Sequence, residues 1–365
     1  MSDLESIRSD TIMKELRIGE LTAKIPLIQG GMGVGISLGG LAGAVAKEGG
    51  IGIISTAQIG YRDPDFEKNP LQANLKAIDS EIKKARLIAP NGIVGFNIMV
   101  ALRNYKEQVE AAVKSGADVI ISGAGLPVDL PAYVGDSKVK LAPIVSSDKA
   151  AKVIMQIWSR RYGRTADFVV IEGPKAGGHL GFDQEQLDEY SEKPEAFTEE
   201  VKKIIKTVKG FGEKFNKNIP IILGGGISDR EGVKAAFELG VHGIQVATKF
   251  IPTEECDAAR EYKEMYTKAT KEDIAIVTSP VGMKGRALMN SFMEKVCAGE
   301  KFPPKKCLGC LKKCNPSEIP YCITERLIMS ARGNVEEGLL FCGANVWAEN
   351  KITTVKEVIR ELMTP

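Results

Sequence analysis

The stretch Ile221-Ile222-Leu223-Gly224-Gly225-Gly226-Ile227-Ser228-Asp229 decides how the chain is read. Three branched apolar residues in a row suit a strand buried on both faces, as in a parallel sheet. Three glycines end that strand, and Ser228 or Asp229 stands where a helix would be capped. A second apolar run, Ile244-Gln245-Val246-Ala247-Thr248-Lys249-Phe250, follows the helical stretch. Strand, glycine turn, helix and strand make one unit of a parallel α/β architecture.

Outward from this unit the same alternation recurs. Strand candidates are Ile25–Gln29, Ile51–Ser55, Ile93–Ile98, Val119–Ser122, Leu141–Val145, Phe168–Glu172, Ile219–Leu223 and Gly243–Ala247. Helical patterns lie between them, at Gly40–Glu48, Pro70–Leu87, Asn104–Ser115, Asp148–Arg160, Thr198–Lys209 and Asp229–Leu239. Eight such units within about 225 residues fit a (β/α)8 TIM barrel better than a doubly wound open sheet. After Ile251 the pattern changes. Helices are expected over Glu254–Thr270 and Lys284–Cys297, a Cys- and Pro-rich segment between Cys307 and Cys322, and a closing helix over Trp347–Met363. The expected organisation is an N-terminal extension (1–20), the barrel (21–253), a small helical, Cys-containing lid (254–345) and a C-terminal helix packed on the barrel (346–365).

The 365 residues carry 49 Lys+Arg against 47 Asp+Glu, a formal charge of +2, and 44% of them are apolar. That balance leaves no sequence-wide basic field for nucleic acid, and the apolar content can bury a real core. No apolar run reaches the ~20 residues that cross a bilayer. Met1 to Gly19 mixes charges and fits neither a signal nor a transit peptide. The expectation is a soluble cytoplasmic protein with no membrane partner; its oligomeric state is left open.

Loops after the seventh and eighth strands of (β/α)8 enzymes commonly hold a phosphate on bare N–H groups and a helix N-terminus. Gly224, Gly225 and Gly226, with Ala247 and Thr248, occupy those positions, although three glycines also permit tight strand–helix packing. No GxxxxGK[ST] loop is present, so a mononucleotide such as FMN is the better candidate. Gln29-Gly30-Gly31-Met32 likewise ends the first strand, either as a plain turn or as backbone that approaches a flavin ring. Of the two histidines, His242 precedes strand eight, at the bottom of a barrel, and reads as structural. His179 lies in Lys175-Ala176-Gly177-Gly178-His179-Leu180-Gly181, past strand six at the end where barrel active sites sit, and suits proton transfer.

Four motifs, Gln29-Gly30-Gly31-Met32, Ala176-Gly177-Gly178-His179-Leu180-Gly181, Gly224-Gly225-Gly226-Ile227-Ser228-Asp229 and Gln245-Val246-Ala247-Thr248-Lys249-Phe250, stand in one order and spacing. Together they resemble the nitronate monooxygenase (2-nitropropane dioxygenase) family, which includes FMN-dependent enoyl-acyl-carrier-protein reductases. The resemblance covers roughly residues 20 to 250. It implies a flavoprotein oxidoreductase with FMN and no metal in the barrel, and His179 as base or proton donor near flavin N5. It sets Gln29, Gly30, Gly31 and Met32 under the isoalloxazine and Asn97 at the end of strand three. Gly178 would border the flavin, and Gly224, Gly225, Gly226, Ala247 and Thr248 would cradle the phosphate. The chain departs from the family's Met-Gly-Thr-Arg-Phe with Val246-Ala247-Thr248-Lys249-Phe250, which changes the side chains but not the backbone donors. The implied reaction oxidises alkyl nitronates with O2 to carbonyl compounds and nitrite. The alternative is NAD(P)H-dependent reduction of an enoyl thioester on the same barrel, and a third reading is a non-catalytic FMN carrier or redox sensor.

Seven cysteines occur, four of them as Cys307-x2-Cys310-x3-Cys314-x7-Cys322. In a reducing compartment disulfides are not expected. Reduced thiols on a lid, an iron–sulfur cluster and a structural zinc ion all fit this spacing. Cys256, Cys297 and Cys342 read as ordinary buried residues.

Overall fold

The computed structural model describes residues 14–364; residues 1–13, the larger part of the expected N-terminal extension, lie outside the described residues, as does Pro365. The described chain opens with a short antiparallel hairpin, β1 (Leu16–Ile18) and β2 (Leu21–Ala23). Parallel strands follow: β3 (Leu27–Gln29), β4 (Ile51–Ser55), β5 (Ile93–Met99), β6 (Val119–Gly123), β7 (Lys140–Val145) and β8 (Val169–Glu172). A two-residue β9 (Gly178–His179) stands apart, and β10 (Ile221–Gly224) and β11 (Gly243–Val246) complete the set. β11 pairs with β3 through Ile244↔Leu27 and Val246↔Gln29, which closes an eight-stranded parallel barrel. The expected TIM barrel is the observed fold.

Helices α1 (Gly39–Lys47), α2 (Pro70–Ile88), α3 (Tyr105–Lys114), α4 (Leu130–Val134), α5 (Asp148–Tyr162), α7 (Pro194–Phe215) and α8 (Arg230–Glu238) lie outside the strands, and the extra helix α6 (Gln184–Glu192) precedes α7 and packs on it. Their sequence logic is local. α7 takes Pro194 in its first turn, where no intrahelical N–H is needed. It buries Val201, Ile204, Ile205 and Val208 at i, i+3, i+4 and i+7, the stripe that a helix lays on a sheet.

The strands alternate. Ile28, Ile53, Ile121, Val170 and Ile222 fill the barrel, while Leu27, Ile54, Ile120, Ile171 and Leu223 face the helices. Leu16 and Ile18 join the interior set, so the β1–β2 hairpin plugs the N-terminal end of the barrel. The Lys140–Glu20 ion pair, 2.7 Å, ties its turn to the start of β7.

Beyond β11 the chain leaves the barrel and returns. The excursion carries α9 (Arg260–Lys268), a hairpin of β12 (Ile274–Thr278) and β13 (Lys284–Leu288), α10 (Ser291–Cys297) and α11 (Ile323–Ala331). The chain comes back as α12 (Val355–Met363), which packs against α1 and α8 and so serves as the eighth helix of the ring. Three expectations need correction here. The closing helix expected over Trp347–Met363 starts only at Val355, where Thr354 accepts from Glu357 N and caps it. The helix expected over Lys284–Cys297 is a strand followed by a helix, because Asn290 accepts from Met293 N at 2.9 Å and caps a fresh start. The helix expected over Glu254–Thr270 is confined to Arg260–Lys268, because Asp257 turns away to cap α1. Its carboxylate accepts from the N–H groups of Leu38, Gly40 and Leu41 at 2.9, 3.2 and 3.0 Å. Among the described residues, no helix is long and apolar enough to cross a membrane.

Candidate active site

The interior register of the barrel changes character at the C-terminal ends of the strands. Below, the interior positions are apolar, mostly branched aliphatics with Ala142 and Phe168 among them. At the mouth they become Ser55, Asn97, Gly123, Glu172, Gly224 and Gln245, six residues that bring polar groups or bare backbone. The pairings Ser55↔Asn97, Gly224↔Glu172 and Gly224↔Gln245 set them side by side. A polar floor over an apolar barrel is where a ligand gains orientation without loss of core.

The first-strand motif lies across this floor. A Cβ on Gly31 would fall 2.3 Å from Asn97 Cβ, so only glycine lets β3 run on so close to that asparagine. Asn97 Nδ2 donates to Ile121 O at 3.5 Å. Gln29 is fully buried on the same side of β3 as Leu27: its Oε1 accepts from Ile53 N at 3.1 Å, and its Nε2 donates to the Gly30 carbonyl. Both ends of that amide brace the strand turn. Met32 holds the following turn through Ser37, whose Oγ accepts from Met32 N at 2.8 Å.

Gly225 and Gly226 have φ of +102° and +83°, conformations that L side chains rarely adopt. Among the described residues, the N–H groups of Gly225, Gly226 and Thr248 donate to no protein acceptor. The turn leads straight into α8, whose N-cap Asp229 accepts from Gly232 N at 2.8 Å. Free main-chain donors beside a helix start suit a phosphate. The returning excursion seals the outer side. Gly343 N donates to Thr248 Oγ1 at 2.9 Å, Ala344 N to Lys175 O at 3.1 Å, and Asn345 Nδ2 to Gly226 O at 2.7 Å and Ser228 Oγ at 3.1 Å.

His179 is held from the excursion side. β9 pairs with β13 through Gly285↔His179, and Leu180 N donates to Lys284 O at 2.9 Å. Arg286 donates to the carbonyls of Ala176 and Pro174, the latter at 2.9 Å. The imidazole Nε2 lies 2.8 Å from Ser279 Oγ, and its ring centroid is 5.1 Å from that of Phe341. Burial pushes the imidazole down to about 4, so it is neutral at physiological pH. Gly178, next to it, has φ +75° and open space where a Cβ would stand. His242 is at the opposite end, where its Nδ1 accepts from Ile221 N at 3.2 Å.

Several of these residues were not picked out from sequence. Ser279 and Asn345 come from the excursion, whose path back over the barrel leaves no local signal. Glu172 and Gln245 did leave one, as polar residues at or near the ends of apolar strands.

The four-cysteine segment lies over the loop after β5, where Arg103 N donates to Cys310 O at 3.0 Å and Lys312 N to Ala101 O at 3.0 Å. Its thiols are engaged separately: Thr324 Oγ1 donates to Cys310 Sγ at 3.2 Å, and Gly309 N to Cys307 Sγ at 3.4 Å. All four are free thiols. Among the described residues, no three His, Cys, Asp or Glu side chains come together as a metal ion would require, so Cys307, Cys310, Cys314 and Cys322 form no metal cage in this arrangement.

The description of the nitronate monooxygenase family matches residues 14–364. A probable nitronate monooxygenase of Staphylococcus saprophyticus is 25% identical over 299 residues, which cover 76% of this chain and 79% of that protein. A (3aS,4S,5R,7aS)-5-hydroxy-7a-methyl-1-oxo-octahydro-1H-indene-4-carboxyl-CoA dehydrogenase of Mycobacterium tuberculosis is 24% identical over 276 residues, 76% of this chain and 66% of that one. The structure of FabK from Thermotoga maritima superposes with a TM-score of 0.70 at 25% identity, covering 93% of this chain and 91% of that one.

Proposed function

Because the chain belongs to the nitronate monooxygenase family, and is therefore an enzyme, we propose that it is an FMN-dependent oxidoreductase that converts alkyl nitronates to carbonyl compounds and nitrite with O2. The observation that carries this reading is the half-buried, neutral His179, fixed by Ser279 and β13 on the same barrel mouth as the unfilled N–H groups of Gly225, Gly226 and Thr248.

The residues fit the cofactor. A phosphate oxyanion would take the donors of the Gly225-Gly226 turn and Thr248, with the start of α8 adding its positive end. Gly31 and Asn97 would lie under the ring system and Gly178 beside it. Bound FMN supplies the electron acceptor. What the protein contributes is binding, orientation and the handling of protons.

A neutral imidazole with a lowered pKa is a weak base and a good hydrogen-bond partner. A nitronate already carries the negative charge that a base would have to create, so it matches His179 as found. Ser279 holds the ring in place through Nε2.

His179→Asn should keep bound FMN, read from the flavin absorbance, and lose turnover on neutral nitroalkanes about 100-fold or more. Nitrite release from propyl nitronate should fall less, because no proton need be removed. Undiminished turnover on both substrates would take His179 out of the mechanism. The second reading, reduction of an enoyl thioester with NAD(P)H, draws support from the CoA dehydrogenase among the relatives and from the likeness to FabK. NADH oxidation with a crotonyl thioester, set beside nitrite release, separates the two.

A further inference from the structure

Glu172 is the one acidic side chain among the residues of the mouth layer, and neither the barrel nor the excursion explains it. It ends β8 in the register of Phe168 and Val170, which face the barrel interior, and it stands opposite Gly224, the first glycine of the cradle. Its Oε1 accepts from Gly181 N at 3.0 Å. Gly181 itself is pressed on Ser146, whose Oγ lies 2.3 Å from where a Cβ would stand. The carboxyl therefore bridges the two ends of loop 173–180, the loop that carries His179.

We propose that Glu172 is a positioning residue for His179, clamping its loop through Gly181, and that the charge of its carboxyl governs how firmly an anion is held on the adjoining glycine turn. The second half rests on the reading above, in which that turn takes a phosphate.

The electrostatics agree with the geometry. Burial pushes Glu172 up to about 7, and the Gly181 N–H is the one group that opposes the shift. The charged and titratable side chains of the surrounding segments, Lys175 and His179 in its own loop, Lys284 and Arg286 on β13, Asp148 at the start of α5, and Glu195, Glu199 and Glu200 in α7, make no hydrogen bond or ion pair with it among the described residues, where its partner is Gly181 N. Among the described residues no Lys or Arg pairs with it. An ionised Glu172 is thus an uncompensated negative charge beside the place where an anion is expected.

Glu172→Gln keeps an oxygen for Gly181 and cannot ionise, while Glu172→Ala removes the clamp. In the full chain, amide exchange of residues 174–181 should be about tenfold faster in the Ala variant than in wild type at pH 6, and unchanged in the Gln variant. Equal exchange in all three proteins would overturn the clamp. Riboflavin 5′-phosphate binding, compared between wild type and Glu172→Gln, cancels the titration of the phosphate itself. The ratio of their Kd values should rise from near one at pH 5.5 to about ten at pH 8.5, because only wild type gains the repelling charge. A flat ratio would overturn the charge effect. If no form binds riboflavin 5′-phosphate at any pH, the assigned cofactor falls and the charge effect with it, while the exchange arm still decides the clamp.

Discussion

His179 and Glu172 show how one enclosure drives two side chains in opposite directions. Burial disfavours the charged form of each, so the imidazole falls to about 4 and the carboxyl rises to about 7. The consequences for stability follow by sign. Between pH 6.5 and about 4 the unfolded chain binds a proton at His179 and the folded one does not, so acid in this window weakens the fold. For Glu172 the folded state holds the extra proton between pH 4.5 and about 7, so its contribution is present at low pH and lost as pH rises through about 7. His179→Asn should therefore flatten the acid side of the stability profile, by at most about 3 kcal/mol across the window. Urea unfolding at pH 6.5, 5.5 and 4.5 reads this directly, and parallel profiles for wild type and variant would contradict it. His179 was visible in the sequence because a histidine between glycines past a barrel strand has few structural uses. Its lowered pKa was not, because that depends on Phe341 and Ser279, more than 99 residues along the chain.

At the level of elements, the β12–β13 hairpin is what turns a flexible glycine loop into a fixed site. Loop 173–181 has three glycines after Gly173 and no helix or long strand of its own. Its order comes from the pairing of β9 with β13 and from the Arg286 guanidinium on two of its carbonyls. Arg286→Met should leave the barrel folded and loosen the loop: amide exchange in 174–181 should rise about tenfold or more, with kcat falling more than FMN affinity. A change confined to global unfolding would contradict that role. The strand–helix alternation was legible because eight short apolar runs recur at similar spacing and four of them, ending at Gln29, Ser122, Glu172 and Leu223, run straight into glycine. The hairpin was not, although Ile274-Ala275-Ile276-Val277-Thr278 is rich in β-branched residues. Lys284-Gly285-Arg286-Ala287-Leu288 carries two cations and a glycine, and as a strand it is defined by its partners rather than by its own composition.

For the molecule as a whole, the decisive circumstance is that the eighth helix follows the excursion instead of the eighth strand. Lys249, buried just after β11, donates from Nζ to Glu349 at 3.3 Å and to Glu361 in α12 at 2.9 Å. Glu349→Ala strands one side of that buried cation and should cost about 3 kcal/mol, read as a lower urea midpoint. The loss should shrink when Lys249→Met is combined with it, since no buried charge is then left unmatched and Glu361 is exposed to water. The last helix of the outer ring thus lies beyond the excursion in sequence. A growing polypeptide can stack strands and seven outer helices early, yet α1 and α8 keep an open seam until residues 355–363 arrive. The strands close their cylinder without that segment, so what waits for it is the outer ring, and with it the anchor that Lys249 finds on Glu361.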